Sequence, residues 1–335
     1  ITLAALYAGE YVNPLYEMPE WNLPGDEFEN KYAVKPLGLY SFGQPDKLSN
    51  MGEHFRDYYK VCYQAMELPA LSGKLMAQPL EPIRVLGEVK PVSVKRLGKS
   101  DDYVFDFGQN FTGVCKLRVK GRKGHKITIE HTELLNKDGT PNMLYLRIAE
   151  PNYPYPMQTD IFFLRGGGKY EELMPRFTYH GFRFAVVRNM PYEPDLSDLT
   201  GYQVRSDVAD IGSFNSDSDM LNWMQEAIMW TERGNLHGIP TDCPQRAERQ
   251  GWLNDMTARY EEAVYNFNMV HIYEKWAQDI TDAQEPISGA IPDTAPLKRG
   301  QRPADPCVAS YLLVSKGIYD HYANRRSLQR QYNGM

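Results

Sequence analysis

The chain has 335 residues, a formal net charge of -6 and 42% hydrophobic residues, enough for two or three packed domains and too apolar for wholesale disorder. Its mild acidity gives no electrostatic reason to expect nucleic acid or an anionic membrane surface as partner, and no run of about 18 apolar residues occurs to span a membrane. The 23 Tyr, 13 Phe and 5 Trp suit strands, and aromatic faces also suit the apolar C–H faces of sugar rings, although most of them read as ordinary core residues.

The chain begins ITLAALYAGEY, with no basic region followed by an apolar core, so no leader is visible and the compartment stays open. Residues 1–78 are rich in Pro, Gly and Tyr and read as the remnant of an amino-terminal β-rich domain. From residue 79 to 205 the pattern becomes short alternating runs, among them IRVLGEVKPVSVKRL, YVFDFGQNFTGVCKLRVKG and HKITIEHTELL, which predict an antiparallel β-sandwich. Asp138-Gly139 supplies turn chemistry, and Phe182, Phe184 and Val186 are expected on one strand face. Gly166-Gly167-Gly168 lacks the Lys-Ser/Thr and following helix of a phosphate loop, so it reads as a hairpin.

Residues 206–335 turn helical. Ser216 and Asp219 form a capping-box-like start, and Leu221, Met224 and Ile228 make an amphipathic stripe running to about Arg233. Further helices are expected after Trp252, around Ile272 and Trp276, and over SYLLVSKGIYDHY, followed by a polar tail. The first and last of these four helices are expected to leave apolar edges exposed.

Between the first two helices lies TDCPQRAERQGWLND, residues 241–255. Pro240 and Pro244 end the first helix and Gly251 opposes a continuous one, so 239–250 reads as a loop with the next helix starting near Trp252. A start at Pro244 is the other placement, and both bring Glu248, Trp252 and Asp255 toward one surface. A carboxyl beside an indole and a second carboxylate tends to keep its proton, which a glycosidase needs to protonate a leaving oxygen. Asp242 and Arg246 can bind hydroxyls, and Trp252 can cover a sugar face. On composition alone a polar helix cap with surface Arg–Glu pairs is the commoner outcome. His237, Asp242 and Cys243 lack the further ligands of a zinc site, and Cys243 lacks the surroundings of a nucleophile. No metal, no cofactor and no disulfide framework is expected; Cys62, Cys115, Cys243 and Cys307 are far apart.

These residues resemble a known family. IPTDCPQRAERQGWLND is similar to the signature of the bacterial-type α-L-rhamnosidases of glycoside hydrolase family 78, and SDSDMLNWMQEAIMWTERGNLHG, KWAQDITDAQ, AQPLEPIRV, FDFGQNFTG and PRFTYHGFRF resemble its other motifs in order. The resemblance runs from about residue 75 to the end. It implies β-sandwich domains before an (α/α)6 barrel, and inverting hydrolysis of terminal α-L-rhamnose from rhamnosides or plant polysaccharides. It makes Glu248 the general acid and Asp242, Arg246, Trp252 and Asp255 the lining of the rhamnose pocket, while Arg249 keeps its ordinary reading as a surface ion-pair residue.

Two positions depart from the family pattern: Ala247 stands where an acid is common, and Pro306-Cys307-Val308 where Pro-Ala-Trp is common. At about 30–40 residues per helical hairpin, roughly two of six hairpins fit after residue 206. The chain is therefore expected to be a fragment, inactive because its general base is missing. The alternatives are a non-catalytic carbohydrate-binding protein and a six-hairpin hydrolase acting on another sugar. Export suits polysaccharide substrates, and cytoplasmic residence suits imported glycosides.

Overall fold

A computed structural model describes residues 3–7, 9–14, 77–147, 156–298, 300–305 and 309–335. The reading of 1–78 as a separate domain, the pair Cys62 and Cys307, and the departure at Val308 lie mostly or wholly outside these residues.

Among the described residues ten strands form one sheet: β1 (Leu3–Ala5), β2 (Gly9–Val12), β3 (Ile83–Val89), β4 (Ser93–Arg96), β5 (Tyr103–Val119), β6 (Lys126–Thr132), β7 (Thr159–Phe163), β8 (Glu171–Leu173), β9 (His180–Arg188) and β10 (Leu199–Ser206). Its order is β1-β2-β7-β6-β9-β5-β10-β3, with β4 and β8 both paired to β5. Every pairing is antiparallel except that of β2 with β7, which brings the first strands of the chain into the same sheet. The sandwich expected from the alternating runs thus takes the form of one continuous sheet curled around its core. The reason lies in β5. Its register against β9 shifts between Asp106 and Phe111, and such a bulge bends the strand so that its start pairs with β4 and its end with β8 and β10.

The same shift corrects the expected face of β9. Phe182 is in the core, and beyond Arg183 and Phe184 its cluster continues through Ala185 and Val187; Val186 is also fully buried, outside that cluster, while Phe184 is half-buried under the Arg183 guanidinium. Phe107, Phe111 and Phe182 meet with ring centroids 4.5 to 5.6 Å apart. Each buried ring of this kind contributes about 1.5–3 kcal/mol. Gly166, Gly167 and Gly168 all have positive φ in the loop between β7 and β8, where the Glu171 carboxylate accepts the Arg165 and Gly166 N–H groups; the segment is not the hairpin expected, because β7 pairs with β2 and β6 and β8 pairs with β5.

Five α-helices follow among the described residues: α1 (Asp219–Gly234), α2 (Leu253–Asn266), α3 (Val270–Asp282), α4 (Ser310–Tyr322) and α5 (Arg325–Gln331). The first four are those the periodicity predicts, and α5 occupies the stretch read as a polar tail. The cap of α1 is Ser218, whose hydroxyl accepts from Leu221 N; Ser216 is instead held by the Asn222 amide, so the expected capping position is two residues early. Trp276, Tyr273, Phe267, Leu253 and Met256 build the helical core. Met220, Leu221, Trp223 and Met224 on α1, and Leu312 and Tyr319 on α4, are exposed, as anticipated for the first and last helices. No described helix is long and apolar enough to cross a membrane.

Candidate active site

The segment between α1 and α2 is a closed loop. Asp242 N donates to Gln250 O at 2.9 Å and Gln250 N donates to Asp242 Oδ1 at 2.7 Å, so the two ends of residues 242–250 tie each other. Trp252 is the N-cap of α2, which decides for the helix start near Trp252 over the start at Pro244. The loop lies on the sheet because β9 carries Gly181: a Cβ there would stand 2.7 Å from Pro244 Cγ and 3.0 Å from Gln245 Cβ. Ala247 is fully buried against Leu146 and Met157.

Four of the five predicted residues converge. Trp252 Nε1 donates to Glu248 Oε1 at 2.9 Å, and Arg246 Nη2 lies 2.6 Å from Glu248 Oε2 and 3.8 Å from Asp242 Oδ2. The side chains of Asp242 and Glu248 are 5% and 15% exposed, against 33% for Arg246, so the guanidinium covers a recessed pair of carboxylates. The indole meets Glu248 with its N–H and not with its apolar face, a different contact from the desolvating one expected. Burial raises the Asp242 carboxyl above the ordinary carboxylate range, with the neighbouring Glu248 adding to the rise and Gln250 N and Arg246 opposing it. Asp255 does not join them: it is exposed in the first turn of α2 and makes no hydrogen bond or ion pair with the other four.

Arg249 is the main correction. It is 6% exposed rather than a surface ion-pair residue, and it adopts φ 49°. Its Nη1 donates to Leu6 O and Tyr179 O at 2.8 Å each, Nη2 to Gln158 Oε1 at 3.2 Å and Nε to Arg246 O at 3.2 Å. The guanidinium also lies over the Tyr179 ring, 4.7 Å from its centroid. It fastens the loop to the sheet, and nothing in the order of residues distinguishes it from a surface arginine. Tyr7, whose hydroxyl donates to Glu248 O at 3.0 Å, and Glu133, which accepts from Asn110 at 2.8 Å and feels the charge of Arg246, also come from distant sequence. Glu133, Trp230 and Asp242 line a cavity of about 500 Å³ between α1, β5 and the loop.

Ligand atoms of Asp242, Cys243 and Glu248 lie within 4.8 Å of one another, a spacing that admits a cation. Arg246 already supplies positive charge to both carboxylates, and burial pushes the Cys243 thiol up to about 12, so it remains a poor ligand and a poor nucleophile. His237 is engaged elsewhere, stacked on Tyr179 at 3.9 Å with Nε2 on Val204 O at 2.9 Å. Among the described cysteines, Cys115 and Cys243 are both free and buried.

Comparison with known proteins gives matches along most of the chain. Residues 96–205 match the bacterial α-L-rhamnosidase concanavalin-like domain and residues 209–335 the bacterial α-L-rhamnosidase six-hairpin glycosidase domain. An α-L-rhamnosidase of Streptomyces avermitilis is 35% identical over 67% of this chain and 21% of its own length; one of Formosa agariphila is 28% identical over 88% of this chain and 28% of its own length. The structure of α-L-rhamnosidase from Dictyoglumus thermophilum superposes with a TM-score of 0.80 and 33% identity over 98% of this chain and 33% of that one. The Streptomyces avermitilis enzyme complexed with L-rhamnose gives a TM-score of 0.72 and 32% identity over 78% and 24%. The chain thus spans about a fifth to a third of the length of these relatives. With both domain models matched in order and these relatives in agreement, the chain belongs to the bacterial α-L-rhamnosidases, glycoside hydrolase family 78.

Proposed function

We propose that these residues form the acid side of a site that releases terminal α-L-rhamnose from a glycoside or polysaccharide with inversion. The observation that carries this reading is the arrangement at Glu248, with the Trp252 indole N–H on one carboxyl oxygen, Arg246 on the other and Asp242 beside them. With a sugar in place, Arg246 and Asp242 turn to its hydroxyls, and Glu248 carries the proton that the departing oxygen takes. Trp252 positions the Glu248 carboxyl through its N–H, and Asp255, exposed on α2, is the remaining candidate for a sugar contact. The reading places these elements in β-sandwich domains (79–205) followed by hairpins of an (α/α)6 barrel (206–335).

Inversion also needs a general base across the ring, with the two carboxyl groups about 6.5–9.5 Å apart so that water fits between them. In this reading that base belongs to a barrel hairpin other than those formed by α1 to α5, and these 335 residues alone hydrolyse rhamnosides slowly or not at all. Four measurements test the proposal. Titration of the chain with L-rhamnose should show binding that Asp242→Asn weakens, and unchanged affinity in that variant would remove Asp242 from the pocket. In the whole enzyme, Glu248→Gln should slow hydrolysis of poor leaving groups by about 10²–10⁴ and activated aryl rhamnosides by less. NMR should detect the β-anomer of rhamnose first; the α-anomer first would refute inversion, and equal turnover of aryl mannosides would refute the sugar assignment.

A further inference from the structure

We propose that a basic cleft at the opposite end of β9 from the catalytic loop binds the anionic groups, carboxylate or sulfate, of an acidic polysaccharide. The inference rests on the glycan-directed function above and adds a substrate class to it. The cleft has a volume of about 800 Å³ and is lined by Arg96, Arg122, Lys123, His125 and Lys126 together with Tyr192. Against them stand Asp101 and Glu193, and Asp101 is already taken by Arg96 at 2.6 Å. Arg122, Lys123 and Lys126 are exposed and make no ion pair among the described residues. On a chain whose formal net charge is -6, three uncommitted cations in five consecutive residues form a local field of opposite sign.

The turn that carries them is tied to its neighbours by hydrogen bonds. Gly124 N donates to Leu164 O at 2.8 Å, Leu164 N to His125 O at 2.9 Å, and His125 Nε2 meets Asn189 O at 2.6 Å. Tyr192 offers a half-buried aromatic beside the cations, the combination of apolar face and positive rim that a charged sugar ring requires. Gly181, under the catalytic loop, and Asn189, at the cleft, bracket β9, so the two sites are separated by about 25 Å at the rise of a strand. That distance spans several sugar units. It suits a site that holds the body of a chain while its end is processed elsewhere.

The test is calorimetric titration of the 335-residue chain with an oligogalacturonate, a sulfated chondroitin oligosaccharide, neutral maltohexaose and an oligodeoxynucleotide of matched charge. At least one anionic sugar should bind, more weakly as salt rises from about 50 to 300 mM, and maltohexaose should not. The stronger of the two sugars identifies carboxylate or sulfate as the anion recognised. The double variant Arg122→Glu, Lys123→Glu, both at exposed positions, should weaken binding at least tenfold, whereas Lys316→Glu on α4 should leave it unchanged. Absence of binding by both sugars, indifference to the double variant, or equal affinity for the oligonucleotide would overturn the proposal. Binding that survives Glu248→Gln while rhamnose binding is absent from the chain would instead count against the function proposed for the loop, so the two failures are distinguishable.

Discussion

Replacing Arg249 by Met tests whether the loop of residues 242–250 is held from the sheet. The guanidinium makes four hydrogen bonds to carbonyl-type oxygens, two of 2.8 Å and two of 3.2 Å, and none to a carboxylate. At about 1.5 kcal/mol for each bond from a charged donor, the gross loss is about 6 kcal/mol. Methionine also removes a buried charge whose desolvation costs several kcal/mol, so about half of that loss is returned. A net destabilisation of about 3 kcal/mol is expected, read as a lower midpoint in urea unfolding at unchanged slope. Arg249→Lys keeps the charge but concentrates it on one nitrogen that cannot reach all four oxygens, and should recover only part of the loss. Hydrogen exchange should show the amide of Gln250, which donates to Asp242, losing protection ahead of the sheet. A change within about 0.5 kcal/mol for Arg249→Met, with loop protection intact, would refute the role assigned to this residue.

Gly181→Ala should displace the loop, because the new Cβ would meet Pro244 Cγ at 2.7 Å; a cost of about 1–3 kcal/mol and weaker rhamnose binding are expected, and unaltered binding would show that the loop does not depend on this contact. Ala247→Asp restores the acid common in the family but places it, fully buried, against Leu146 and Met157; thermal unfolding should reveal a loss of about 2–4 kcal/mol, and wild-type stability would mean the site opens readily to water. Acid stability should be governed by the buried cluster of His131, His180 and Asp160 in the sheet. Burial lowers His131 to about 3 and His180 well below its ordinary value, so the unfolded chain takes up two more protons as pH falls below about 6.5, and stability is lost. Burial raises Asp160 to about 6, which opposes this by one proton between about pH 6 and 4 and leaves a net loss of stability there as pH falls. Urea titrations at pH 7, 6 and 5 measure the slope, and His131→Leu should reduce it; an unchanged slope in that variant would remove His131 from the account.

Short-range pattern was enough for the strands of 79–205, for the four long helices and for the loop between the first two, because alternation of two and a stripe of 3.6 are local consequences of which face is buried. The convergence of Glu248 with Asp242, Arg246 and Trp252 was also legible, since their separations within one short segment limit how far apart they can fall. Geometry within that group was not. Whether the indole presents its ring or its N–H to Glu248 depends on side-chain rotamers set by packing, and Asp255 lies outside the contacts because α2 begins at Leu253 and turns it to solvent.

Everything that joins distant segments had to wait for the tertiary structure. The bulge of β5 decides that one sheet curls on itself and that Ala185 and Val187, not Phe184, continue the core of β9. Arg249 has the same composition-level appearance as any loop arginine, and only the approach of Leu6, Gln158 and Tyr179 turns it into a buried fastener. The basic cleft is similar: its net sign is opposite to that of the chain, and it exists because the β5–β6 turn is held beside Asn189 and Tyr192. Local sequence sets which chemistry is available at each point along the chain. Which groups share a dielectric environment, and therefore which charges interact, is set by contacts between residues far apart in sequence, and no periodicity encodes those.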